Sequence, residues 1–222
     1  MLALSAAITP AAARGTHPEG FSRTTIHFTV TVPNEAVGGT GTQTCDIVGD
    51  LYRPNDATTR HPVPAVLTTN GFTGSKNDQT AMAKVLARHG YGVLSYSWLG
   101  FGGSGCKITL GDRAHDGRAG SQLVSFLGHL SWIKRDGPDD PRVGMIGNSY
   151  GGGIQYAVAG VDRRVDAIVP MITWNDMSYS IAPNNTALTH GVSYSHNAPG
   201  IAKEVWLPEL FAAGGAAVVQ HI

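Results

Sequence analysis

The stretch "VGMIGNSYGGG", residues 143–153, runs an apolar segment into a serine flanked by glycines. Residues 143–146 predict a short buried strand, and the small residues after Ser149 predict the start of a helix. The pattern Gly147-x-Ser149-x-Gly151 is typical of a strained turn that lifts a serine hydroxyl above the end of a parallel sheet. The stretch therefore predicts a nucleophile elbow at Ser149, with an ordinary glycine-rich turn as the alternative.

The segments around the elbow alternate between strand-like and helix-like patterns. Residues 25–32 alternate apolar and polar side chains, and residues 45–54 follow a glycine-rich turn, which predicts an antiparallel hairpin. Further strands are predicted at residues 64–70, 91–97, 142–148 and 165–172, and helices at 78–90, around Leu123 to Leu130 and at 150–160. Strands that alternate with helices predict an α/β fold with a mostly parallel sheet, helices on both faces and an antiparallel N-terminal hairpin.

The composition is that of a globular protein and argues against two classes of partner. The chain has 222 residues, of which 42% are hydrophobic and 14% charged, and its 16 basic and 16 acidic side chains cancel. Since no run of like charges concentrates either sign, we expect no nucleic acid and no anionic membrane surface as a partner. A neutral or mixed small substrate fits this balance better.

The N-terminus and the cysteines bear on the compartment. Residues 1–14 are small and apolar, resemble the remnant of a signal peptide, and are too short to span a bilayer. We therefore expect a secreted or extracytoplasmic protein, with a cytoplasmic one as the alternative because a basic leading region is missing. Cys45 and Cys106 are the two cysteines, and the sequence leaves open whether they form a disulfide or stay buried thiols.

A second turn is a candidate for stabilising a reaction intermediate. Asn70-Gly71-Phe72 follows the first predicted parallel strand. In enzymes with a nucleophile elbow, the loop at this place supplies a backbone N–H to an oxyanion. The start of the helix after Ser149 offers another N–H and the positive end of a helix dipole. We expect the amides of Phe72 and Tyr150 to form the oxyanion hole, the alternative for Asn-Gly being a plain surface turn.

Other motifs argue against a cofactor or a metal. The glycine-rich segment 100–105 lacks the Gly-Lys-Ser/Thr that a phosphate-binding loop requires, and we expect it to border the pocket instead. Neither His-Glu-x-x-His nor Cys-x-x-Cys occurs, so no metal site and no cofactor are predicted.

Four segments together resemble a known family: "PAVLTTNGFTGSK", "LARHGYGVLSYSWLGFGGSG", "DGRAGSQLVSFL" and "GMIGNSYGGGIQYAVAGVDRRVDAIVPMITWND". They are similar to the α/β-hydrolases of the X-Pro dipeptidyl-peptidase and cocaine-esterase group (peptidase S15, CocE/NonD) over about residues 45 to 180. The resemblance implies an α/β-hydrolase fold and a serine mechanism on Ser149. Phe72 departs from the pattern, because many relatives carry a tyrosine there whose hydroxyl assists the oxyanion hole, so only a backbone donor carries over.

The base and acid that a serine nucleophile needs are harder to place. In this fold they follow the serine in the order acid, then histidine. Because the sequence after Trp174 is turn-rich and family members are longer, we expect an incomplete sheet, a core over 15–173 and the start of a cap over 174–222. The acid and histidine are then expected beyond this chain, with an internal set of Asp176 and His190, His196 or His221 as the alternative.

Aromatic side chains suggest where a substrate binds. Trp98 and Trp174 each end a predicted parallel strand, the edge at which ligand sites gather, so both are candidates for lining a pocket. The sequence thus predicts a serine hydrolase that cleaves a small-molecule ester or a short peptide. The rival reading is a catalytically inactive fragment or a binding module, and oligomeric state is left open.

Overall fold

A computed structural model of the chain describes residues 19–35 and 39–177, together with residues 180, 208, 209 and 212. Within that part, the elements in chain order are β1 (Phe21–Pro33), β2 (Thr42–Pro54), β3 (Ala65–Thr69), α1 (Thr80–Arg88), β4 (Gly92–Tyr96), α2 (Arg118–His129), β5 (Arg135–Gly137), β6 (Asp140–Pro141), β7 (Val143–Asn148), α3 (Tyr150–Ala159) and β8 (Val165–Met171). The predicted leader over 1–14 and most of the predicted cap over 174–222 lie outside the described residues.

The main sheet has six strands in the order β1-β2-β4-β3-β7-β8. β1 pairs antiparallel with β2, and β2 pairs antiparallel with β4, whereas β4, β3, β7 and β8 run parallel to one another. This arrangement confirms the predicted fold class, including the N-terminal hairpin. The hairpin extends beyond the predicted strands at both ends, since its register continues from Phe21 opposite Pro54 to Pro33 opposite Thr42.

Helices cover both faces of the sheet. On one face, Ala83 and Ala87 of α1 pack with Val66 of β3 and Val93 of β4. On the other face, buried side chains of α2 and α3 belong to a larger core cluster that includes Leu67 of β3 and Leu94 of β4. Successive residues of a strand point to opposite faces of the sheet. Since helices cover both faces, every residue of β3 and β4 is buried and neither strand has a face exposed to solvent.

The parallel strands bring their carboxyl ends to one edge of the sheet. Asn70 follows β3, Ser97 follows β4, Ser149 follows β7 and Ile172 follows β8. In open α/β sheets this edge is where ligands bind. The fold thus gathers the segments that carry the predicted site residues.

A disulfide joins Cys45 of β2 to Cys106, which lies in the loop after β4, with their Cα atoms 5.5 Å apart. The same loop is tied to β2 by the N–H of Gly105, which donates to the carbonyl of Asp46 at 2.7 Å. The structure therefore selects the disulfide from the two possibilities that the sequence left open.

A π-helical turn over Arg113–Gly117 leads into α2, and the sequence pattern did not predict it. Asp112 caps this turn, because its side chain accepts from the N–H of His115. Asp116 lies within the same turn and is fully buried.

Candidate active site

Ser149 stands in the turn between β7 and α3 with φ of 55° and ψ of −122°. A non-glycine residue with positive φ is uncommon and is retained where the surrounding structure enforces it. Here the Ser149 N–H donates to the carbonyl of Met171 at 3.0 Å, and the Ser149 carbonyl accepts from Gly152 and Gly153. The serine is partly exposed, as expected for an elbow at the carboxyl edge of the sheet.

The glycines of the elbow are required by close backbone contacts. A Cβ on Gly151 would lie 2.5 Å from the carbonyl oxygen of Thr69, and one on Gly147 would lie 3.0 Å from the carbonyl oxygen of Gly151. Any side chain at Gly151 would therefore push α3 away from the end of β3. This packing explains the predicted Gly147-x-Ser149-x-Gly151 spacing.

The turn after β3 lies beside the serine. A Cβ built on Gly71 would be 3.9 Å from the Cβ of Ser149. The Asn70 side chain fixes the start of the turn, because its Oδ1 accepts from the Trp98 N–H at 3.0 Å and its Nδ2 donates to the Gly71 carbonyl at 2.7 Å. The structure thus brings the predicted Asn70-Gly71-Phe72 turn and the elbow together.

Two backbone donors near this point have no acceptor within the described part of the chain. None of the hydrogen bonds found there uses the N–H of Phe72 or of Tyr150, the first residue of α3. These are the two amides that the sequence predicts as oxyanion donors. Backbone N–H groups near a serine nucleophile, one of them at the N-terminus of a helix, can bind an oxygen that carries negative charge.

Four aromatic rings pack together beside the serine. The Tyr150 ring lies 5.2 Å from that of Phe101, 6.0 Å from that of Phe72 and 6.2 Å from that of Trp174, between centroids. Tyr150 and Phe101 are buried, whereas Phe72 and Trp174 are partly exposed. Phe72 and Trp174 therefore form an apolar rim above a buried aromatic floor, and Trp174 keeps its place as a candidate pocket residue.

Small residues in α3 make room for this rim. A Cβ on Gly153 would lie 3.0 Å from the indole of Trp174, and one on Gly152 would lie 2.8 Å from the Cβ of Thr173. The glycines after Ser149 thus let the segment after β8 pack directly on the helix.

Trp98 belongs to the core, which corrects its predicted place in the pocket. Its side chain is fully buried, and its indole N–H donates to the carboxylate of Asp116. The other Asp116 oxygen accepts from the Gly111 N–H at 2.7 Å. Tryptophan at a strand end combines a large apolar surface with one donor, and here Asp116 satisfies that donor beneath the site.

The buried acid and phenols under the elbow have shifted pKa values. Burial raises the pKa of the Asp116 carboxyl from 3.8 to about 6, although hydrogen bonds from Trp98 and Gly111 oppose the shift. Burial, with the nearby charge of Asp116, also raises the pKa of the Tyr150 phenol. Both groups titrate outside their ordinary ranges because they lie in a region of low polarity.

The alternative internal acid and histidines are only partly placed. Asp176 is described, and its backbone carbonyl accepts from the N–H and the hydroxyl of Ser180. His190, His196 and His221 lie outside the described residues. An internal set built from these groups stays a prediction.

One cluster has the composition of a metal site. Glu35, Cys45 and Cys106 place their possible ligand atoms within 4.8 Å of one another. The two sulfurs form the disulfide, however, and a metal binds the thiolate. In the part of the chain that the structure describes, no helix is long and apolar enough to cross a membrane.

Comparison with known proteins identifies the family. Residues 43–207, about three quarters of the chain, match the X-Pro dipeptidyl-peptidase (S15) family. The chain belongs to this family. The match confirms the resemblance drawn from the elbow and its neighbouring segments. Among curated proteins, the quorum-quenching protein AidA of Acinetobacter baumannii is 28% identical over 178 residues, which are 77% of this chain and 56% of that protein.

Solved structures with the same fold include hydrolases of several kinds. The α/β hydrolase GrgF from Penicillium sp. sh18 has a TM-score of 0.53 and 20% identity, covering 71% of this chain and 48% of its own. Acetyl xylan esterase 1 from Thermoanaerobacterium sp. has a TM-score of 0.55 and 17% identity, covering 77% and 54%. A CocE/NonD family hydrolase from Staphylococcus aureus has a TM-score of 0.52 and 15% identity, covering 89% and 37%. These likenesses show the α/β-hydrolase fold, and the chain spans about half the length of the curated relatives it matches.

Sequence reasoning missed two contributors to the site. Phe101 forms part of the aromatic floor, and the signal was a single aromatic residue inside the glycine-rich segment 100–105. Asp116 gives no local signal of burial, because its segment over residues 112–118 is rich in charged residues, yet it lies fully buried against the Trp98 indole.

Proposed function

We propose that the chain carries the nucleophile of a serine hydrolase that cleaves an ester or amide bond through an acyl-enzyme on Ser149. The observation that best supports the proposal is the strained turn at Ser149, which faces Gly71 at the start of α3. Strain of this kind is concentrated at functional sites, where it presents a side chain that would otherwise turn away.

The chemistry follows from this arrangement. The hydroxyl oxygen of Ser149 attacks the carbonyl carbon while its proton passes to a base. The amides of Phe72 and Tyr150 donate to the oxyanion that forms, and the N-terminus of α3 adds its dipole. The oxyanion collapses, the alcohol or amine leaves with a proton, and water then hydrolyses the acyl-enzyme.

The base is a histidine outside the described part of the chain. The five described histidines, none of which hydrogen-bonds to Ser149, are His27, His61, His89, His115 and His129. In the proposed enzyme the histidine and its acid come either from the internal set of Asp176 with His196 or His221, or from polypeptide outside these 222 residues.

The substrate is proposed to be a small-molecule ester or a short peptide with an apolar group beside the scissile carbonyl. Phe72 and Trp174 offer an apolar rim on which such a group can pack. The name of the S15 family favours an X-Pro peptide, whereas the likeness to an acetyl xylan esterase favours an ester. Parallel assays with nitrophenyl esters and with X-Pro nitroanilides separate the two.

A fluorophosphonate probe tests the proposal, because it forms a covalent bond with an activated serine only. We expect one label on the folded 222-residue chain, located at Ser149 by peptide mass spectrometry and lost in Ser149→Ala. Ser22→Ala, a matched change of a partly exposed serine on β1, should keep the label. A folded 222-residue chain without label excludes the internal set of Asp176 with His196 or His221. The same assay on the protein expressed from its whole gene then decides, because no label there overturns the enzyme reading and favours the binding module, which would retain an unreacted ester in equilibrium dialysis.

We further infer that the protein works in an oxidising compartment. The disulfide between Cys45 and Cys106 supports this, because such bonds persist in secreted proteins and are rare in a reducing cytosol. Differential alkylation of the protein from fractionated cells of its source tests the inference. Two alkylated thiols in the native protein would contradict it.

A further inference from the structure

The Asp50 carboxylate on β2 is fully buried and contacts three side chains, of which Thr25 and Lys76 donate hydrogen bonds to it and Arg23 forms an ion pair with it. Its Oδ1 accepts from Thr25 Oγ1 at 2.7 Å, and its Oδ2 lies 2.8 Å from Lys76 Nζ and 3.2 Å from Arg23 Nε. Lys76 is itself only 14% exposed, whereas Arg23 is 43% exposed. The Asp50–Lys76 pair is thus removed from solvent, unlike the exposed ion pairs that contribute little.

The backbone of Lys76 is fixed as firmly as its ammonium group. Its N–H donates to Ser97 Oγ at 2.9 Å, and its carbonyl accepts from Ser95 Oγ at 2.7 Å. Lys76 therefore contacts β2 through its side chain, and β4 and the loop after β4 through its backbone.

Lys76 ends the turn that begins at Asn70. Within this turn Thr73 has a positive φ of 66°, and the N–H of Gly74 donates to the Gly71 carbonyl at 3.1 Å. The N–H of Ser75 donates to the Asp78 carboxylate at 3.0 Å. A 3-10 helix over Lys76–Gln79 follows the turn, and Ser75 caps it by accepting from the Asn77 N–H. The turn is therefore held by Asn70 at its start and by this cap together with Lys76 at its end.

We propose that Lys76, held by Asp50, is a positioning residue that fixes the turn carrying the Phe72 amide opposite Ser149. The inference rests on the proposed function, in which that amide donates to the oxyanion. Lys76 touches no reacting atom and acts through the five residues that precede it. A buried ion pair adds little to the free energy of unfolding, because the cost of removing both charges from water offsets their attraction. The Asp50–Lys76 pair instead places the turn.

The first measurement needs no catalysis. Hydrogen exchange of the intact chain should show the amides of residues 71–75 opening about tenfold faster in Lys76→Met than in the wild type, with the amides of β3 and β7 unchanged. Lys84→Met is the matched control. Lys84 lies on α1 and forms a surface ion pair with Glu19, in which its Nζ lies 3.6 Å from the Glu19 carboxylate. Unchanged exchange at 71–75 in folded Lys76→Met overturns the proposal, and so does equally faster exchange throughout the sheet.

The second measurement reads the chemistry. A misplaced oxyanion donor costs about 10- to 100-fold in rate, so fluorophosphonate labelling of Ser149 in Lys76→Met should slow by that factor. With an ester that is turned over, kcat should fall while KM changes less than threefold, and Lys76→Arg should recover part of kcat. An equal rise in KM with unchanged kcat contradicts the positioning role.

Two outcomes separate this inference from the proposed function. Absence of label on wild-type Ser149 in the protein expressed from its whole gene removes the proposed function, while the exchange comparison still decides whether Lys76 fixes the turn. If Lys76→Met does not fold, Ser97→Ala removes the acceptor of the Lys76 N–H with a smaller change. Exchange at 71–75 should then be several-fold faster, and wild-type exchange in that variant overturns the proposal.

Discussion

Replacing Asp116 by asparagine should change the pH dependence of stability in a defined direction. The carboxyl group is fully buried and has no cationic partner among its hydrogen-bond donors, which are Trp98 and Gly111. Its pKa is about 6 in the folded chain and 3.8 as an ordinary carboxyl. Since the folded pKa is raised, the wild type is most stable, as far as this group is concerned, below about pH 3.8 and loses that stability as pH rises to about 6.

The size of the effect follows from the two pKa values. Each pKa unit corresponds to about 1.4 kcal/mol, so charging Asp116 lowers the free energy of unfolding by about 3 kcal/mol at neutral pH. About 2 kcal/mol of this should be lost between pH 4.5 and pH 7.5. Asparagine does not titrate, but it offers one carbonyl oxygen to two donors, which costs about 1–3 kcal/mol at every pH. The pH-dependent difference between the two proteins is therefore the quantity to compare.

Urea unfolding followed by tryptophan fluorescence at a series of pH values measures this difference. The free energy of unfolding of wild type minus that of Asp116→Asn should fall by about 2 kcal/mol from pH 4.5 to pH 7.5. Asp112→Asn is the matched control, and its difference from the wild type should stay flat between pH 4.5 and pH 7.5. Although burial acts to raise the Asp112 pKa, hydrogen bonds with His115 lower it overall, so its contribution is lost only as pH falls below the ordinary value of 3.8. A difference that stays constant with pH would refute the reasoning for Asp116.

Three further predictions concern the elbow, the disulfide and the tryptophans. Ser149→Gly should raise the free energy of unfolding by about 1 kcal/mol, because glycine adopts positive φ without strain, and should abolish labelling; thermal melts that show no gain would contradict the strain. Reducing the bond between Cys45 and Cys106, which are 61 residues apart, should cost up to about 4 kcal/mol in chemical unfolding, with the Cys45→Ala/Cys106→Ala variant insensitive to reductant. Trp98→Ala should cost about 3–5 kcal/mol of stability, whereas Trp174→Ala should cost less and raise KM for apolar esters; equal losses of stability would place both side chains in the core.

The fold could be predicted because its strands carry local patterns. β1 alternates buried Ile26, Phe28 and Val30 with exposed residues, whereas β3 and β4 are short segments of apolar and small polar residues without charge, so the pattern of each segment indicates its environment. The elbow was predictable because its glycines stand at a fixed spacing from the serine, although the contact that requires Gly151 is with the distant Thr69 carbonyl. In both cases the pattern itself is local in the sequence.

The remaining features depend on contacts between distant segments. The disulfide forms because β2 pairs with β4 and thus brings Cys45 beside the loop that follows, which no spacing in the sequence indicates. Trp98 is buried in the core, where its indole N–H donates to Asp116. The sequence could not show this, because a tryptophan near a strand end is equally compatible with a place in a pocket. Trp174 ends a strand in the same way but remains partly exposed, so the two differ only in what the folded chain places around them.

The links between the N-terminal hairpin and the parallel sheet bear on how such hydrolases can be recombined. Residues 55–64 look like a natural junction, because a turn-rich linker there separates β2 from β3. Yet the Cys45–Cys106 disulfide and the Asp50–Lys76 pair both cross that junction. A chimera that takes its hairpin from one parent and its sheet from another would inherit half of each bond, so the hairpin and the loops it anchors must be exchanged as a single block.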